Sequence, residues 1–479
     1  MKWVEKQYYF YNMAKKFKRI YNNLRVIDIT SRGKGVVKSK EGKVIFVSGV
    51  VPGDKISVKI FKKRRGYFEG NLIKIIEPSP DRIKPQCEHF GVCGGCKLQN
   101  MSYEGQLYFK QKEVKQNLKN LSGMSLPKID AIQPSTQNYF YRNKMEYTFS
   151  SQRWLNANEI DEKSLIIEKK GLGFHKEGMW DKVVDIQKCH LQPEPANEIR
   201  NSIKAFALKY NLDFFNPRYQ EGFLRSLMIR NTQGGEFMVL IQFFRENKSQ
   251  REALMEHLKN NFNITSLLYC INSKANDKLY DQEIICYEGK KYITEEMEGL
   301  NFKINAKSFF QTNTKLAYEL YKTAREFAGL KGGELVYDLY TGIGTIAQFV
   351  AKVCKKVVGV DSVPEAIESA RLNARENRIK NVFFEVGDMR KIFNEGFMNR
   401  HGKADVVITD PPRNGMHPAV VKQLLFMQPK KIVYVSCNNA TQARDLYLMR
   451  EQYKLVYSQA IDMFPQTQHV ENVVLLEKI

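Results

Sequence analysis

Residues 334–345 read ELVYDLYTGIGT, in which an apolar run containing Asp338 leads into a short glycine loop and the start of a helical pattern. Gly342 and Gly344 let the backbone approach a ligand closely, as glycines do at the first turn of nucleotide-binding folds. A NAD site would need the longer pattern Gly-x-Gly-x-x-Gly, and the third glycine is missing here. The stretch therefore predicts a strand, a ligand-binding turn and a helix, but not a dinucleotide site.

After residue 300 the sequence alternates between strand and helix patterns. Apolar strand-like runs such as KVVGVD, NVFFEVGD, ADVVITD and KIVYVSC are separated by amphipathic runs such as PEAIESARLNAREN. Such alternation is typical of a parallel sheet with helices on both faces. We therefore predict a Rossmann-like α/β domain over residues 301–479, with Asp361 at the end of its second strand placed to bind ribose hydroxyls.

Two further domains are predicted upstream. Residues 24–80 contain short alternating strands separated by glycine, proline and charged turns, which predicts a small closed OB-like β-barrel. Three prolines between residues 78 and 85 mark a linker. Residues 81–300 mix strand-like and helical segments and are predicted to form a central α+β domain. Residues 1–23 are predicted to be a separate basic extension.

The charge of the chain is strongly positive and uneven. Its 479 residues include 75 Lys and Arg against 52 Asp and Glu, a formal net charge of +23. Residues 1–86 alone hold 21 basic and 7 acidic side chains. Clustered positive charge neutralises phosphates, and the basic run at residues 62–65 lies beside Phe61 and Tyr67, whose rings suit base stacking. The barrel is therefore predicted to contact RNA.

Membrane association is not predicted, because no stretch approaches the ~18 apolar residues of a membrane span. The opening residues lack the apolar core of a secretory signal. Eight cysteines in a chain of this length are too few for a disulfide scaffold. We expect a cytoplasmic protein with RNA as its partner, no membrane association and no obligate protein partner.

A second acidic strand end is found at Asp410-Pro-Pro-Arg413. Two consecutive prolines remove two backbone donors, which leaves the carbonyl groups and the Asp410 carboxylate available to a substrate. Methyltransferases that act on amino groups have a similar motif, but with an aromatic residue in the place of Arg413. This difference argues against methylation of an exocyclic amine.

A cysteine, Cys437, follows the next predicted strand within the polar run SCNN. Ligands of such sheets bind at the carboxyl ends of the strands, which places Cys437 in the same crevice as the glycine loop. A cysteine at a strand end is more commonly an inert core residue. The polar neighbours and the late acid Glu471 favour a reactive thiol with a nearby base instead.

Several motifs together resemble the RNA 5-methyluridine methyltransferase family, over nearly the whole chain. They are SFFQTN at 308–313, SCN at 436–438, AT at 440–441, RD at 444–445 and HVE at 469–471. The barrel resembles the family's TRAM domain, and the acidic strand end with its short glycine loop resembles class I S-adenosylmethionine methyltransferases. The sequence departs from the family at Pro412, where Ala is common, and at Asn439, where Pro is usual.

The resemblance implies a reaction at carbon 5 of uracil, with S-adenosyl-L-methionine as the methyl donor. In that chemistry a thiolate adds to carbon 6, and a base later removes the carbon 5 proton. Cys437 would be the nucleophile, Glu471 the general base and Asp410 a contact to the base edge. The target base leaves its stack, and Phe309 or Phe310 would stack on it unless that ring packs in the core.

A thiol with a pKa of ~8.5 is mostly protonated at neutral pH, so the reaction requires a group that favours the thiolate. Arg413 is the candidate cation. The residues that the resemblance implies for cofactor binding are Gln311, Tyr340, Gly342, Thr345, Asp361, Asp388 and Asp410.

Four cysteines form a possible metal-ligand set. Cys87, Cys93 and Cys96 are close in sequence and Cys189 is distant, and this spacing suits zinc or an iron-sulfur cluster equally. The resemblance implies a [4Fe-4S] cluster, which the larger ribosomal-RNA members of the family carry on a similar motif. The remaining Cys270, Cys286 and Cys354 are expected to be core residues.

The leading hypothesis is an enzyme that methylates carbon 5 of a uridine in 23S rRNA through a covalent Cys437 adduct. The barrel and the four cysteines favour ribosomal RNA, since tRNA-specific members are expected to be shorter and to lack both. The alternatives are a tRNA uridine-C5 methyltransferase, an RNA-binding ribosome-assembly factor without turnover, and an N-methyltransferase that uses Asp410.

Overall fold

The structure is a computed structural model that describes residues 19–156, 159 and 168–479. It divides into two compact units. The first contains the described residues up to Gly91, with Gly95–Glu113 and Phe464–His469. The second contains Val92–Gly94, Val114–Met463 and Val470–Ile479. The boundaries of the four predicted domains stay predictions.

Part of the predicted basic extension, residues 1–18, lies outside the described residues. Residues 20–23 of that extension already belong to the first strand. In the part of the chain that the structure describes, no helix has both the length and the apolar character needed to cross a membrane.

The first unit contains a closed five-stranded barrel, as predicted, with strand order β1-β2-β3-β5-β4. Alternate Val and Ile side chains fill its interior, because successive residues of a strand point to opposite faces. Two glycines permit this packing: a Cβ at Gly35 or Gly70 would lie 2.2 Å from a valine methyl group. The barrel strands and the helix that follows are β1 (Ile20–Ile29), β2 (Gly35–Lys38), β3 (Val44–Val47), β4 (Lys55–Lys63), β5 (Tyr67–Glu77) and α1 (Tyr103–Leu121).

The first unit also contains a segment from the C-terminal end of the sequence, residues 464–469. Lys97 donates its backbone N–H to the Gln466 carbonyl at 3.0 Å, and Lys110 donates to the Phe464 carbonyl at 3.1 Å. Gln106 accepts from the Gln466 N–H at 2.9 Å and donates to the Gln466 side chain at 3.1 Å. The two bonds between Gln106 and Gln466 join positions 360 residues apart in the sequence.

The second unit begins with a seven-stranded sheet whose order is β12-β11-β10-β9-β6-β7-β8. Among the described pairings of this sheet, β10 with β11 is parallel and the others are antiparallel. Strand β10 is buried along its whole length, which matches a sequence that is apolar except for Gln242. The elements are β6 (Lys144–Ser150), β7 (Gly171–His175), β8 (Val183–Asp185), α2 (Ala196–Lys209), β9 (Leu224–Asn231), β10 (Phe237–Phe243), α3 (Lys248–Asn261), β11 (Ser266–Ile271) and β12 (Ile285–Gly289).

A two-stranded hairpin, β13 (Tyr292–Met297) and β14 (Leu300–Asn305), leads to helix α4 (Thr314–Ala328). The helix begins at Asn313, whose side chain accepts from the Leu316 N–H, a regular N-cap. It ends at Gly329, which adopts a left-handed conformation.

The predicted α/β domain is confirmed by a second seven-stranded sheet with the order β17-β16-β15-β18-β19-β21-β20. The first five are parallel to one another, and β21 runs antiparallel to both of its neighbours. The strand order reverses between β15 and β18, where such sheets bind ligands. The elements are β15 (Leu335–Leu339), α5 (Thr345–Ala351), β16 (Lys356–Asp361), α6 (Pro364–Glu376), β17 (Val382–Val386), α7 (Met389–Ile392), α8 (Glu395–His401), β18 (Val406–Thr409), α9 (Pro418–Met427), β19 (Lys431–Ser436), α10 (Asn439–Met449), β20 (Tyr453–Ile461) and β21 (Glu471–Lys478).

Candidate active site

The glycine loop after β15 turns sharply through three residues in the left-handed region. Tyr340, Gly342 and Gly344 have φ values of 64°, 55° and 80°. A Cβ at Gly344 would lie 2.7 Å from the Phe384 ring, so the loop packs tightly there. A Cβ at Gly342 would meet no atom within 4 Å, so the loop has open space at that residue. The predicted approach of a ligand to the backbone is therefore sterically possible at Gly342.

Asp338 joins this loop to the start of α5. Its buried carboxylate accepts hydrogen bonds from the Thr341 hydroxyl and from the Ala347 N–H, the latter at 3.0 Å. Burial raises the pKa of Asp338 to about 7, and the nearby charge of Asp410 adds to the rise. The neighbouring Thr345 hydroxyl donates to Tyr321 at 3.4 Å. Asp338 thus holds the loop, while Thr345 is already bonded within the protein.

The predicted ribose acid, Asp361, lies at the end of β16 and reaches the glycine loop. One carboxylate oxygen accepts from the Gly342 N–H at 3.0 Å, and the other accepts from the Val363 N–H at 3.0 Å. Each oxygen keeps a further lone pair for a ligand. Asp388 instead caps α7 and pairs with Arg390 at 2.6 Å, which lowers the pKa of Asp388 to about 2. An adenine contact at Asp388 would have to share a carboxylate that Arg390 already occupies.

Asp410 follows β18 on the other side of the strand-order reversal. Its N–H donates to the Leu339 carbonyl at 3.4 Å, which ties the two strand ends together. Gln311 donates to the Asp410 carboxylate, also at 3.4 Å. Burial raises the pKa of Asp410 to about 7, and the Gln311 hydrogen bond opposes that rise. Two residues predicted for the cofactor site, 99 positions apart, are thus in contact.

The segment that carries Gln311 is fixed by side chains that the sequence did not reveal. Asn143 donates to the Gln311 carbonyl and to the Thr314 hydroxyl, each at 2.9 Å. The Thr314 hydroxyl donates in turn to the buried Glu295 carboxylate at 2.8 Å. Arg230, also buried, donates to the carbonyl of residue 308 at 2.6 Å. The sequence contained one signal that Glu295 is buried. It lies on the apolar face of β13, and the residues two positions before and after it are apolar.

The two phenylalanines of the same segment have different surroundings. Phe309 is 64% exposed, whereas Phe310 is 4% exposed and packs near Phe302. Only an exposed ring is available to stack on a base. The structure therefore distinguishes two rings that the sequence left equivalent.

Cys437 and Glu471 lie at the ends of two paired strands. In the antiparallel register of β19 and β21, Ser436 is opposite Asn472, which sets Cys437 next to Glu471. Glu471 is buried, and Cys437 is partly buried. The predicted nucleophile and the predicted base therefore share one end of the sheet with Asp410.

Burial and the neighbouring negative charges raise the pKa values of both groups. Burial raises the pKa of Glu471 to about 8; Asp410 adds to the rise and Arg413 opposes it. Burial also raises the pKa of the Cys437 thiol to about 11; the charges of Glu471 and Asp410 add to this effect and Arg413 opposes it. Arg413 thus favours the thiolate, as predicted, but burial and the carboxylates outweigh it in the free protein.

The loop after Cys437 is held by the start of α10. The Asn438 side chain accepts from the Ala440 and Thr441 N–H groups, and it donates to the Arg413 carbonyl at 3.0 Å. Asn439 is the first residue of the helix, where the N–H has no partner within the helix. Proline is well tolerated at that position for the same reason. Asn439 in the place of a proline therefore leaves the helix start intact.

The predicted metal ligands receive no support from the structure. Within residues 19–156, 159 and 168–479, no group of three or more His, Cys, Asp or Glu side chains is arranged to hold a metal ion. Cys87 and Cys96 fall in the first unit, and Cys93 and Cys189 fall in the second. Of the expected core cysteines, Cys270 and Cys354 are buried and Cys286 is partly exposed.

A family model described as tRNA (uracil-5-)-methyltransferase matches residues 218–479. The chain belongs to this family. An RNA methyltransferase of Bacteroides thetaiotaomicron is 49% identical over 453 residues, which are 94% of this chain and 100% of the relative. An RNA methyltransferase of Porphyromonas gingivalis is 49% identical over 461 residues, 95% of this chain and 99% of the relative.

A solved structure is similar along nearly the whole chain. It is the Pyrococcus abyssi tRNA (uracil-54, C5)-methyltransferase in complex with S-adenosyl-L-homocysteine, with a TM-score of 0.74 and 30% identity. The match covers 95% of this chain and 100% of the other. As a member of the uracil-5-methyltransferase family the protein is an RNA methyltransferase of EC class 2.1.1, and S-adenosylmethionine is supported as its methyl donor.

Proposed function

We propose that the protein methylates carbon 5 of a uridine in 23S rRNA through a covalent adduct between Cys437 and carbon 6 of the base. The observation that carries this proposal is the position of Cys437 beside Glu471 at the ends of β19 and β21, with Asp410 close enough to affect both pKa values. A thiol, a carboxyl group and a hydrogen-bonding acid are the three groups that this chemistry requires.

The proposed sequence begins when the Cys437 thiol releases its proton to solvent and its sulfur bonds to carbon 6 of the uracil. The electron pair of the carbon 5–carbon 6 double bond moves into an enolate, which makes carbon 5 nucleophilic. Carbon 5 then bonds to the electrophilic methyl group that S-adenosylmethionine, when bound, would supply, and S-adenosylhomocysteine would be the leaving group. Glu471 as the carboxylate then removes the carbon 5 proton, and the resulting enolate expels the Cys437 thiolate.

The surroundings of the site suit these steps. Arg413 lowers the pKa values of both Cys437 and Glu471, so it favours the two ionised forms that the reaction uses. The raised pKa of Glu471 makes its carboxylate a stronger base than an exposed glutamate. Asp410 is expected to contact the base edge, and Phe309 is the exposed ring proposed to stack on the flipped base.

The proposed contacts to the methyl donor follow the loop geometry. The open space at Gly342 and the remaining lone pairs of Asp361 suit a nucleoside. Gln311, Tyr340, Thr345, Asp388 and Asp410 complete the proposed set.

Covalent trapping on RNA that contains 5-fluorouridine tests the mechanism. Fluorine at carbon 5 cannot leave as a proton, so the methylated adduct should persist as a stable protein–RNA complex on a denaturing gel. Cys437→Ala should form no complex, while Cys354→Ala, a buried cysteine elsewhere in the α/β domain, should form it normally. An adduct that persists in the Cys437→Ala variant would refute the proposed nucleophile.

A tRNA is the second candidate substrate. The Pyrococcus abyssi enzyme, which acts on uracil 54 of tRNA, matches 95% of this chain. The match extends into the barrel of this chain. A barrel therefore does not distinguish an rRNA methyltransferase from a tRNA methyltransferase, although the sequence had suggested that it would. Mapping 5-methyluridine in RNA from cells with and without the gene distinguishes them. Loss of the mark from tRNA alone would replace the ribosomal proposal.

The iron-sulfur cluster is a separate proposal that rests on cysteine spacing and on the family resemblance alone. Anaerobically purified protein is expected to contain about four irons and four acid-labile sulfides per chain. Stoichiometric zinc in place of iron would contradict the proposal. No step of the methylation mechanism depends on the cluster.

A further inference from the structure

An exposed aromatic surface lies at the β8 edge of the central sheet and contains no residue assigned to the methylation chemistry. Of the chain's three tryptophans, the two within the described residues, Trp154 and Trp180, are both found here. Trp180 is 63% exposed, and Tyr219 in a neighbouring loop is 74% exposed. A single exposed ring is common, but several large rings grouped on one surface are typical of an interaction site.

The loop between β7 and β8 presents the first ring. Lys176 donates its N–H to the Lys182 carbonyl at 2.9 Å, and Met179 donates to the Lys176 carbonyl at 3.0 Å, which closes a tight turn. Trp180 lies at the end of this turn. These hydrogen bonds fix the loop, and Trp180 is exposed to solvent at its end.

Two cations are placed on the indole rings. The Lys176 ammonium lies 4.5 Å from the centre of the Trp154 ring, and the Arg218 guanidinium lies 5.9 Å from the centre of the Trp180 ring. Arg218 is held there by Asp181, whose carboxylate accepts from its Nε at 2.6 Å. Tyr219 is the next residue in the chain. Two cations therefore lie beside rings on three segments of the chain, with Trp154 partly buried and Trp180 and Tyr219 exposed.

We infer that this surface, defined by Trp154, Lys176, Trp180, Arg218 and Tyr219, is a second RNA-binding site that stacks unpaired nucleotides of the substrate. Exposed aromatic rings bind bases by stacking, and adjacent cations pair with the phosphates between them. The inference rests on RNA being the substrate, and it adds a contact outside the barrel and the active site. Unpaired nucleotides fit best because a duplex hides the faces of its bases.

The test compares RNA binding by the full-length protein and by variants of this surface. Trp180→Ala and Tyr219→Ala should each weaken binding of a 20-nucleotide oligouridine by about tenfold, and Trp180→Phe should restore most of it. A 20-base-pair RNA duplex should bind all variants equally. Phe426→Ala, which removes a ring of similar exposure from α9, serves as the matched control and should not change either affinity.

Turnover separates this inference from the proposed function. In Trp180→Ala the KM for RNA should rise by about tenfold, while kcat and the KM for S-adenosylmethionine stay unchanged. In a Trp3→Phe background, oligouridine should also quench the tryptophan fluorescence. Unchanged oligouridine affinity in Trp180→Ala and Tyr219→Ala, with methylation intact, would overturn the inference and leave the proposed function standing. A wild-type protein that methylates no RNA would refute the proposed function instead.

A protein partner is the competing explanation for an exposed aromatic surface. If Trp180→Ala abolishes binding of a ribosomal protein but leaves oligouridine affinity unchanged, the surface is a protein contact and the inference is wrong.

Discussion

Buried carboxylates in the barrel and in the active site show opposite electrostatic behaviour. Asp54 of the barrel is fully buried, yet it accepts from the Val51 and Ser79 N–H groups and pairs with Arg82 at 2.6 Å. Burial alone would raise its pKa, but Arg82 and the two N–H groups outweigh burial and lower it. Glu471 of the active site is equally buried, and its pKa is raised to about 8.

The difference separates a structural acid from a reactive one. A carboxylate with its own cation and backbone donors is stabilised in the ionised form, so it fixes the chain and cannot easily exchange a proton. Glu471 and Asp410 lie near pKa values of about 8 and 7, where a proton moves readily at physiological pH. Folding around buried acids with raised pKa values costs stability, and active sites commonly carry such a cost.

The largest expected effect comes from Glu471→Gln, which removes the proposed base but keeps the shape of the side chain. Turnover should fall by about 10²- to 10⁴-fold, because the carbon 5 proton no longer has an acceptor. A methylated covalent protein–RNA complex should accumulate on a denaturing gel. Glu451→Gln, at an exposed position, is the control and should turn over normally. Release of product at the wild-type rate would remove Glu471 from the base role.

The second prediction concerns pH. Glu471 works as the carboxylate, and its raised pKa means that the fraction in this form falls as the pH drops below about 8. The rate of product release should therefore fall by about tenfold per pH unit below that value. The measurement is the rate at which the isolated methylated covalent complex releases its product between pH 6 and 9, because methyl transfer itself depends on the ionisation of Cys437. A flat profile between pH 6 and 8 would show that Glu471 is an ordinary, paired acid like Asp54.

The third prediction concerns the loss of the salt bridge between Asp54 and Arg82. Arg82→Ala should lower the free energy of unfolding by about 3 kcal/mol at pH 7, because it leaves the buried carboxylate without its cation. The lowered pKa of Asp54 stabilises the wild-type fold above the unfolded value of 3.8, and this stability is lost as the pH falls through the folded value. Denaturant unfolding at pH 7 and at about pH 2, well below the unfolded value of 3.8, measures both effects. An equal loss at the two pH values would show that the pairing is unimportant.

The fourth prediction concerns Glu295, a buried acid whose surroundings are intermediate between those of Asp54 and those of Glu471. Its pKa is raised by burial, yet it accepts from the Thr314 hydroxyl and the Gln233 N–H. Glu295→Gln replaces one acceptor with a donor, so the segment that carries Gln311 should shift and the KM for S-adenosylmethionine should rise by about tenfold, with a smaller change in kcat. Glu296→Gln, on the exposed face of the same strand, is the matched control. Equal KM values in both variants would contradict the positioning role.

The smallest effect is expected at the exposed charges of the barrel. Replacing the four basic residues at 62–65 with Gln should weaken RNA binding by about fivefold and flatten its salt dependence. The KM for S-adenosylmethionine should not change. A salt series of RNA affinities is the measurement, and a loss of cofactor affinity would contradict the assignment of these charges to RNA alone.

Local patterns in the sequence were sufficient for much of the fold. The barrel and the α/β alternation were predictable because the hydrophobic pattern of each strand or helix can be recognised within a few residues. The strand-end acids were predictable as a set because parallel strands end on one edge of the sheet. The same logic placed Cys437 in the crevice, although its contact with Glu471 depends on β21 inserting between β19 and β20.

Contacts between distant segments were not predictable in this way. The strand order of the central sheet depends on pairings such as β6 with β9, which are far apart in sequence and carry no local signal. Burial decided between Phe309 and Phe310, and neither spacing nor residue type differs between them. Asp388 was expected to face a ligand, but Arg390 two residues later pairs with its carboxylate.

The C-terminal segment at residues 464–469 has a consequence for how the protein is made. The first unit includes this segment, so Gln106 cannot reach Gln466 until nearly the whole chain has left the ribosome. At translation rates of about 5–20 residues per second, the intervening 360 residues take roughly 20–70 s to synthesise. The barrel strands can pair during that time, whereas the hydrogen bonds between Gln106 and Gln466 cannot form until Gln466 has been synthesised. The N-terminal unit is therefore the first to begin folding and among the last to be completed.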